Sequence, residues 1–380
     1  MPSNPAPTII TSTEESVVSD LRILSFLLFD IEKDFDQDLI DRQFELSEEM
    51  AKQDCPNESR GKMERHRLGS IEAQEFIATN PANAVVPPDG SRIEQFRRDS
   101  AEYFQPRVDR ALSRYDISVK NTVISGIPCL EVTPNAGKVR GVVLHFFGGG
   151  FVCGSAYESL LIAAPICQYS TAKIVLPEYR LSPENFWPDA IEDCFAVYKE
   201  LKKRLSGISL AISGDSAGGN LALAIALRAY HENVPLPAAL ALLSPWCDLT
   251  NQGDTLKAND GRDPTLTRAW LDEAAKLYAS AADLSQPTLS PIFASYPSEF
   301  PPVMITTGTR DLLMSQSISL NTRLRDAATE CTIRIWDNLW HVFEYYDELP
   351  ESKTSLEEIA QFLAARLNSD NNAVNCDKGL

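Results

Sequence analysis

Short apolar runs alternate with longer amphipathic stretches along this chain from about Asp116 onward. The runs predict strands at 120–132, 140–147, 172–178, 208–213, 238–243, 302–307 and 331–336. The stretches between them place apolar residues at helical spacing and predict helices at 157–169, 187–205, 217–232, 267–280, 314–328 and 352–367. Gly-Val-Val-Leu-His-Phe-Phe, Lys-Ile-Val-Leu-Pro-Glu-Tyr and Leu-Ala-Leu-Leu-Ser-Pro-Trp are largely apolar, as strands buried on both faces must be. Such β-α alternation implies an α/β protein with a mostly parallel central sheet covered by helices on both faces.

Other regions break the rhythm. Residues 21–75 predict amphipathic helices, Asn80 to Gly90 a proline-rich loop, and Arg92 to Arg114 a further helix. Segment 247–300 is rich in Asp, Thr and Pro, carries one helix, and predicts an excursion over the sheet's edge. The expected organisation is an N-terminal helical segment over 1–100, a core over 101–367, and a polar, disordered tail over 368–380.

Composition narrows the function classes. Apolar residues make up 44% of the 380, enough for a large core. Lys plus Arg number 35 against 53 Asp plus Glu, and the net charge of −18 repels phosphate backbones and argues against a nucleic-acid partner. The first twenty residues lack a basic start followed by an apolar run, so no secretory signal is expected. No apolar stretch has the length of about 18 residues that spans a bilayer, so no membrane segment is expected and a cytoplasmic location is. The 8 cysteines form no C-x-x-C pair and read as reduced, and the 4 histidines cluster with none of them, so neither metal nor cofactor is expected. A homodimer is compatible with the sequence, which does not specify one.

The sharpest chemical signal is Gly214-Asp215-Ser216-Ala217-Gly218-Gly219, between a predicted strand and a predicted helix. A G-x-S-x-G turn in that context holds a serine in a strained, exposed position, with the helix N-terminus adding positive potential beside it. Ser216 is the candidate nucleophile. A second signal, Phe147-Gly148-Gly149-Gly150-Phe151, follows the strand ending at Phe146. Consecutive glycines leave backbone N–H groups able to face a developing oxyanion. A nucleophilic serine also needs a base and a residue to orient it. In the chain order Ser, acid, His, the base is His341, beyond the last strand, and the acid is Asp311, after the strand at 302–307. His231 is too near Ser216 in sequence. Asp326, inside a helix, and Asp337 are the rival acids.

These residues resemble the hormone-sensitive-lipase branch of α/β-hydrolases, known by its G-D-S-A-G-G box. The resemblance runs from about Arg107 to Leu367 and includes Gly148 to Phe151, Tyr179 to Glu184, Gly214 to Gly219, Ser244-Pro245-Trp246, Gly308 to Leu313 and His341-Val342-Phe343. Its Trp-His-Val-Phe variant is similar to bacterial and fungal esterases and lactone hydrolases. The resemblance implies the α/β-hydrolase fold, a helical cap built from segments matching 1–100 and 247–290, and catalysis by Ser216, Asp311 and His341. It implies an oxyanion hole at the N–H groups of Gly148, Gly149 and Ala217. It also implies a small ester or lactone, of short-to-medium acyl length, as substrate, hydrolysed through an acyl-enzyme. A biosynthetic lyase or acyltransferase and a non-catalytic receptor are the alternatives on this scaffold. The branch normally carries His where this chain has Phe147. His145 lies two residues earlier on the same strand, where period-two alternation lets it substitute in holding the glycine loop.

Overall fold

A computed structural model describes residues 69–205 and 207–367. Eight strands form one sheet: β1 (Ile117–Ile124), β2 (Ile127–Pro134), β3 (Val142–Phe146), β4 (Lys173–Pro177), β5 (Leu210–Asp215), β6 (Leu240–Leu243), β7 (Val303–Gly308) and β8 (Cys331–Trp336). Their spatial order is β1-β2-β4-β3-β5-β6-β7-β8. β1 and β2, and β2 and β4, pair antiparallel, and every other neighbour pairs parallel. The helices are α1 (Ile71–Thr79), α2 (Ile93–Arg114), α3 (Leu160–Ser170), α4 (Asp189–Arg204), α5 (Ala217–His231), α6 (Thr255–Ala258), α7 (Arg268–Ala279), α8 (Met314–Asp326) and α9 (Pro350–Leu367). The architecture is the α/β-hydrolase fold with a mostly parallel sheet.

Strand alternation divides the core into two layers. Leu144, Phe146, Ile212, Leu242 and Ile305 face one side and pack with α4, α5 and α8. Val143, Ile174, Ala211, Leu243 and Met304 face the other and pack with α2, α3 and α9. The chain passes from β3 to β4 on one side and then to β5 on the other. Ligands of open α/β sheets bind at the carboxyl ends beside such a reversal. The glycine loop after β3 and the serine turn after β5 sit there.

The single strand expected at 120–132 is a hairpin, because Ser125 and Gly126 adopt φ of 53° and 84° and turn the chain back. Positive φ at both central residues is what a two-residue hairpin turn demands, and Ser-Gly was its signal. Segment 247–300 leaves β6 and returns to adjacent β7 over their carboxyl ends, where Thr255 and Asn259 bond the carbonyls of Leu312 and Asp311. Of the helices expected over 21–75, the part before residue 69 lies outside the described residues, as does the tail 368–380.

Candidate active site

The turn after β5 holds Ser216 at φ 52° and ψ −117°, a sparsely populated conformation. Neighbours clamp it: Ser216 N donates to Leu243 O at 2.8 Å, and Ser216 O accepts from Trp246 N at 2.9 Å. α5 can approach β3 because residue 218 is glycine; a Cβ there would lie 1.9 Å from Phe146 O. Only Gly at 149 meets its two conditions, a φ of 101° and a Cβ position 2.2 Å from Cys153 O.

Ser216, Asp311 and His341 meet at this rim. His341 Nε2 lies 3.0 Å from Ser216 Oγ, and His341 Nδ1 lies 3.1 Å from Asp311 Oδ1. The Asp311 carboxyl is fully buried and also accepts from Leu313 N and Thr307 Oγ1, both at 2.8 Å. Burial alone would raise its pKa, but the imidazole's charge and the hydrogen bonds with His341 and Leu313 N hold it below the ordinary carboxylate value. Burial alone would lower the pKa of His341. The charge of Asp311 and the hydrogen bond to it, with a further contribution from Asp263, hold it above the ordinary value instead. The other candidates do not join: Asp326, Asp337 and His231 are exposed.

Asp263 escaped the sequence reading, since an acidic residue in a polar loop ordinarily faces solvent. Here it is fully buried. Its carboxyl accepts from His341 N at 2.9 Å, Thr265 N at 2.8 Å, Thr265 Oγ1 at 2.9 Å and Leu266 N at 3.1 Å. Burial, then the charge of Asp311, pushes its pKa up to about 6 against those hydrogen bonds. The only sequence signal was its Asp-Pro-Thr turn chemistry. On its far side the His341 loop is braced by aromatic packing: Trp340 stacks on Phe76 of α1, with centroids 4.4 Å apart.

The glycine loop opposes the serine turn, so closely that a Cβ on Gly148 would lie 2.2 Å from Asp215 Oδ2. Among the described residues, no hydrogen bond engages the N–H of Gly148, Gly149 or Ala217. Phe147 is fully buried and stacks on Tyr179 with centroids 4.1 Å apart, while Tyr179 OH donates to Phe147 O at 2.7 Å. The expectation that His145 holds the glycine loop is wrong. Its ring bonds Ser213 Oγ at 2.8 Å and Ser159 Oγ at 2.9 Å, tying β5 to the start of α3. His145, Ser159 and Asp215 form a second Ser-His-Asp grouping, with Nε2 3.4 Å from Asp215 Oδ1, but His145 and Ser159 are fully buried and no substrate reaches them.

A cavity of about 210 Å³ opens on Ser216 and His341. Gly148 and Gly149 form one side of it. Phe96 and Phe104 of α2, and Leu266 and Trp270 from segment 247–300, form much of the rest.

The sheet order and the strand-serine-helix turn at a topological switch point define an α/β hydrolase. A family profile described as alpha/beta hydrolase fold matches residues 143–345, just over half of the chain. An acetyl-hydrolase of Streptomyces hygroscopicus is 30% identical over 260 residues, covering 68% of this chain and 86% of that one. An esterase of Acinetobacter venetianus is 28% identical over 251 residues, covering 65% and 82%. Among solved structures, a hormone-sensitive lipase from a metagenome library has a TM-score of 0.72 and 28% identity, covering 79% of this chain and 99% of that one. The chain belongs to the hormone-sensitive-lipase-like family of α/β hydrolases, and it is a carboxylic ester hydrolase. Among the described residues, no helix is long and apolar enough to cross a membrane.

Proposed function

We propose that the chain hydrolyses esters of short-to-medium acyl chains, and lactones of similar size, through an acyl-enzyme on Ser216. The observation that carries this reading is the continuous path from Ser216 Oγ through both nitrogens of His341 to Asp311, at 3.0 and 3.1 Å. With Asp311 accepting from Nδ1–H, the neutral imidazole has Nε2 free to take a proton. Ser216 Oγ attacks the carbonyl carbon while its proton passes to Nε2. The carbonyl oxygen, now an oxyanion, receives the unengaged N–H groups of Gly148, Gly149 and Ala217. Collapse expels the alcohol, which takes the proton from Nε2. Water then attacks the acyl-enzyme with His341 again as base, and the acid is released. The alcohol and acid together contain the ester plus one water.

The cavity volume of about 210 Å³ lies below the usual range for drug-sized ligands, roughly 300–1,000 Å³, which favours short acyl chains. On a panel of p-nitrophenyl esters and small lactones, kcat/KM is expected to peak at about four to six acyl carbons and fall beyond about eight. A flat profile out to long chains, or no turnover of any member, would overturn the proposal.

Asp263 is a positioning residue in this scheme. Asp263→Asn preserves volume but removes a charge that supports the imidazole, and places an amide N–H against backbone donors. A kcat about 10- to 100-fold lower with little change in KM is expected, together with a shift of the acid limb of the rate profile to lower pH. Loss of melting temperature with an unshifted limb would reduce Asp263 to a structural brace.

A further inference from the structure

The ionisable residues of the substrate cavity are nearly all of one sign. Besides His341, Glu158 and Asp215 line it, and no Lys or Arg does. The two carboxylates differ in their surroundings. Asp215 sits beside the His145 ring and against Gly148, within the framework of the turn. Glu158 lies just before α3, is only 6% exposed, and forms no ion pair with Lys, Arg or His among the described residues. Ser100, which lines the same cavity from α2, has a hydroxyl that favours the charged form of this carboxyl. Its neighbour Glu178 is a solvent-exposed carboxyl, whose Oε2 accepts from Ala156 N at 2.9 Å.

A buried carboxylate without a counter-ion is costly, and a ligand that supplies the missing charge recovers that cost. Burial pushes the Glu158 carboxyl up to about 7, with Glu178 adding to the rise and Ser100 and Ser155 opposing it. The group therefore ionises more readily when a cation sits beside it. Phe96, Phe104, Leu266 and Trp270 in the same wall lower the local dielectric and so strengthen the field of the Glu158 charge. The aromatic faces also suit an alkylammonium. An acidic cavity would further repel the carboxylate product of hydrolysis.

We propose that Glu158 is a specificity determinant, making the cavity prefer esters that carry an ammonium group and reject esters that carry a carboxylate. This rests on the esterase reading above and extends it to a substrate class.

The test uses the full chain at pH 8.5 and two matched ester sets. One set carries a trimethylammonium, a tert-butyl or a carboxylate group at the end of the acyl chain; the other carries the same groups on the alcohol. In at least one set the wild-type kcat/KM should favour the cation over the neutral isostere by about 10-fold, with the anion at least as far below. Glu158→Gln should collapse the cation-to-neutral ratio about 10-fold, and Glu158→Asp should keep much of it. Ratios within one preparation do not depend on how much of a variant folds. Equal ratios in wild type and Glu158→Gln for both sets would overturn the proposal while leaving the esterase reading intact. Hydrolysis that persists in Ser216→Ala, or no hydrolysis of any ester, would remove the esterase reading and this proposal with it.

Discussion

Ser216→Ala should lower kcat/KM toward p-nitrophenyl butyrate by about four to six orders of magnitude, leaving only what binding and the backbone N–H groups supply. The substitution removes one oxygen and little else. The backbone at residue 216 is held through its own N–H and C=O, by Leu243 O and Trp246 N, and alanine keeps both bonds. The melting temperature should therefore stay within a few degrees of wild type, separating loss of chemistry from loss of fold. A serine-directed fluorophosphonate should label the wild type and fail on the variant. Hydrolysis within tenfold of wild type would place the nucleophile elsewhere.

Asp311→Asn should cost about three to four orders of magnitude in kcat. The asparagine can place its amide toward Thr307 Oγ1 and keep its oxygen toward Leu313 N and His341 Nδ1, so the geometry has a way to survive. What it loses is the negative charge that compensates the imidazolium formed during attack. The pH profile carries a second signature. His341 works as a base only when neutral, so activity falls as pH drops through its folded pKa. Asp311 and its hydrogen bond hold that pKa above the ordinary histidine value. Without the carboxylate the pKa falls, and the acid limb must move to lower pH. A variant with near-normal kcat, or with the limb moved upward, would remove Asp311 from the role of orienting acid.

Much of this was legible because it is local. The G-D-S-A-G-G turn carries its own reasons for its shape, since Gly218 admits the close approach of α5 to β3, Gly214 that of the Gly218 carbonyl, and Gly219 that of Pro245. The apolar runs of β3 to β7 are buried on both sides, and their composition says so without knowledge of neighbours. The hairpin at Ser125-Gly126 was misread because apolar residues continue through it, and only two backbone angles separate one strand from two.

The sequence by itself determined the class of fold and the strained serine turn, and it nominated Ser216, Asp311 and His341 in that chain order with Asp326 and Asp337 as rival acids, because composition, periodicity and turn chemistry act over a few residues. Tertiary structure decided everything that depends on a distance between remote segments. It set the two hydrogen bonds that join residues 216, 311 and 341, the burial of Asp263 against the His341 loop, and the enclosure of Glu158 in the cavity wall. It gave His145 to Ser213 and Ser159, and gave Phe147 to the ring and hydroxyl of Tyr179. A carboxylate in a polar stretch of sequence reads the same whether it faces water or lies buried in a cavity wall. Packing alone settles which, and with it the charge, the partners and the chemistry of the group.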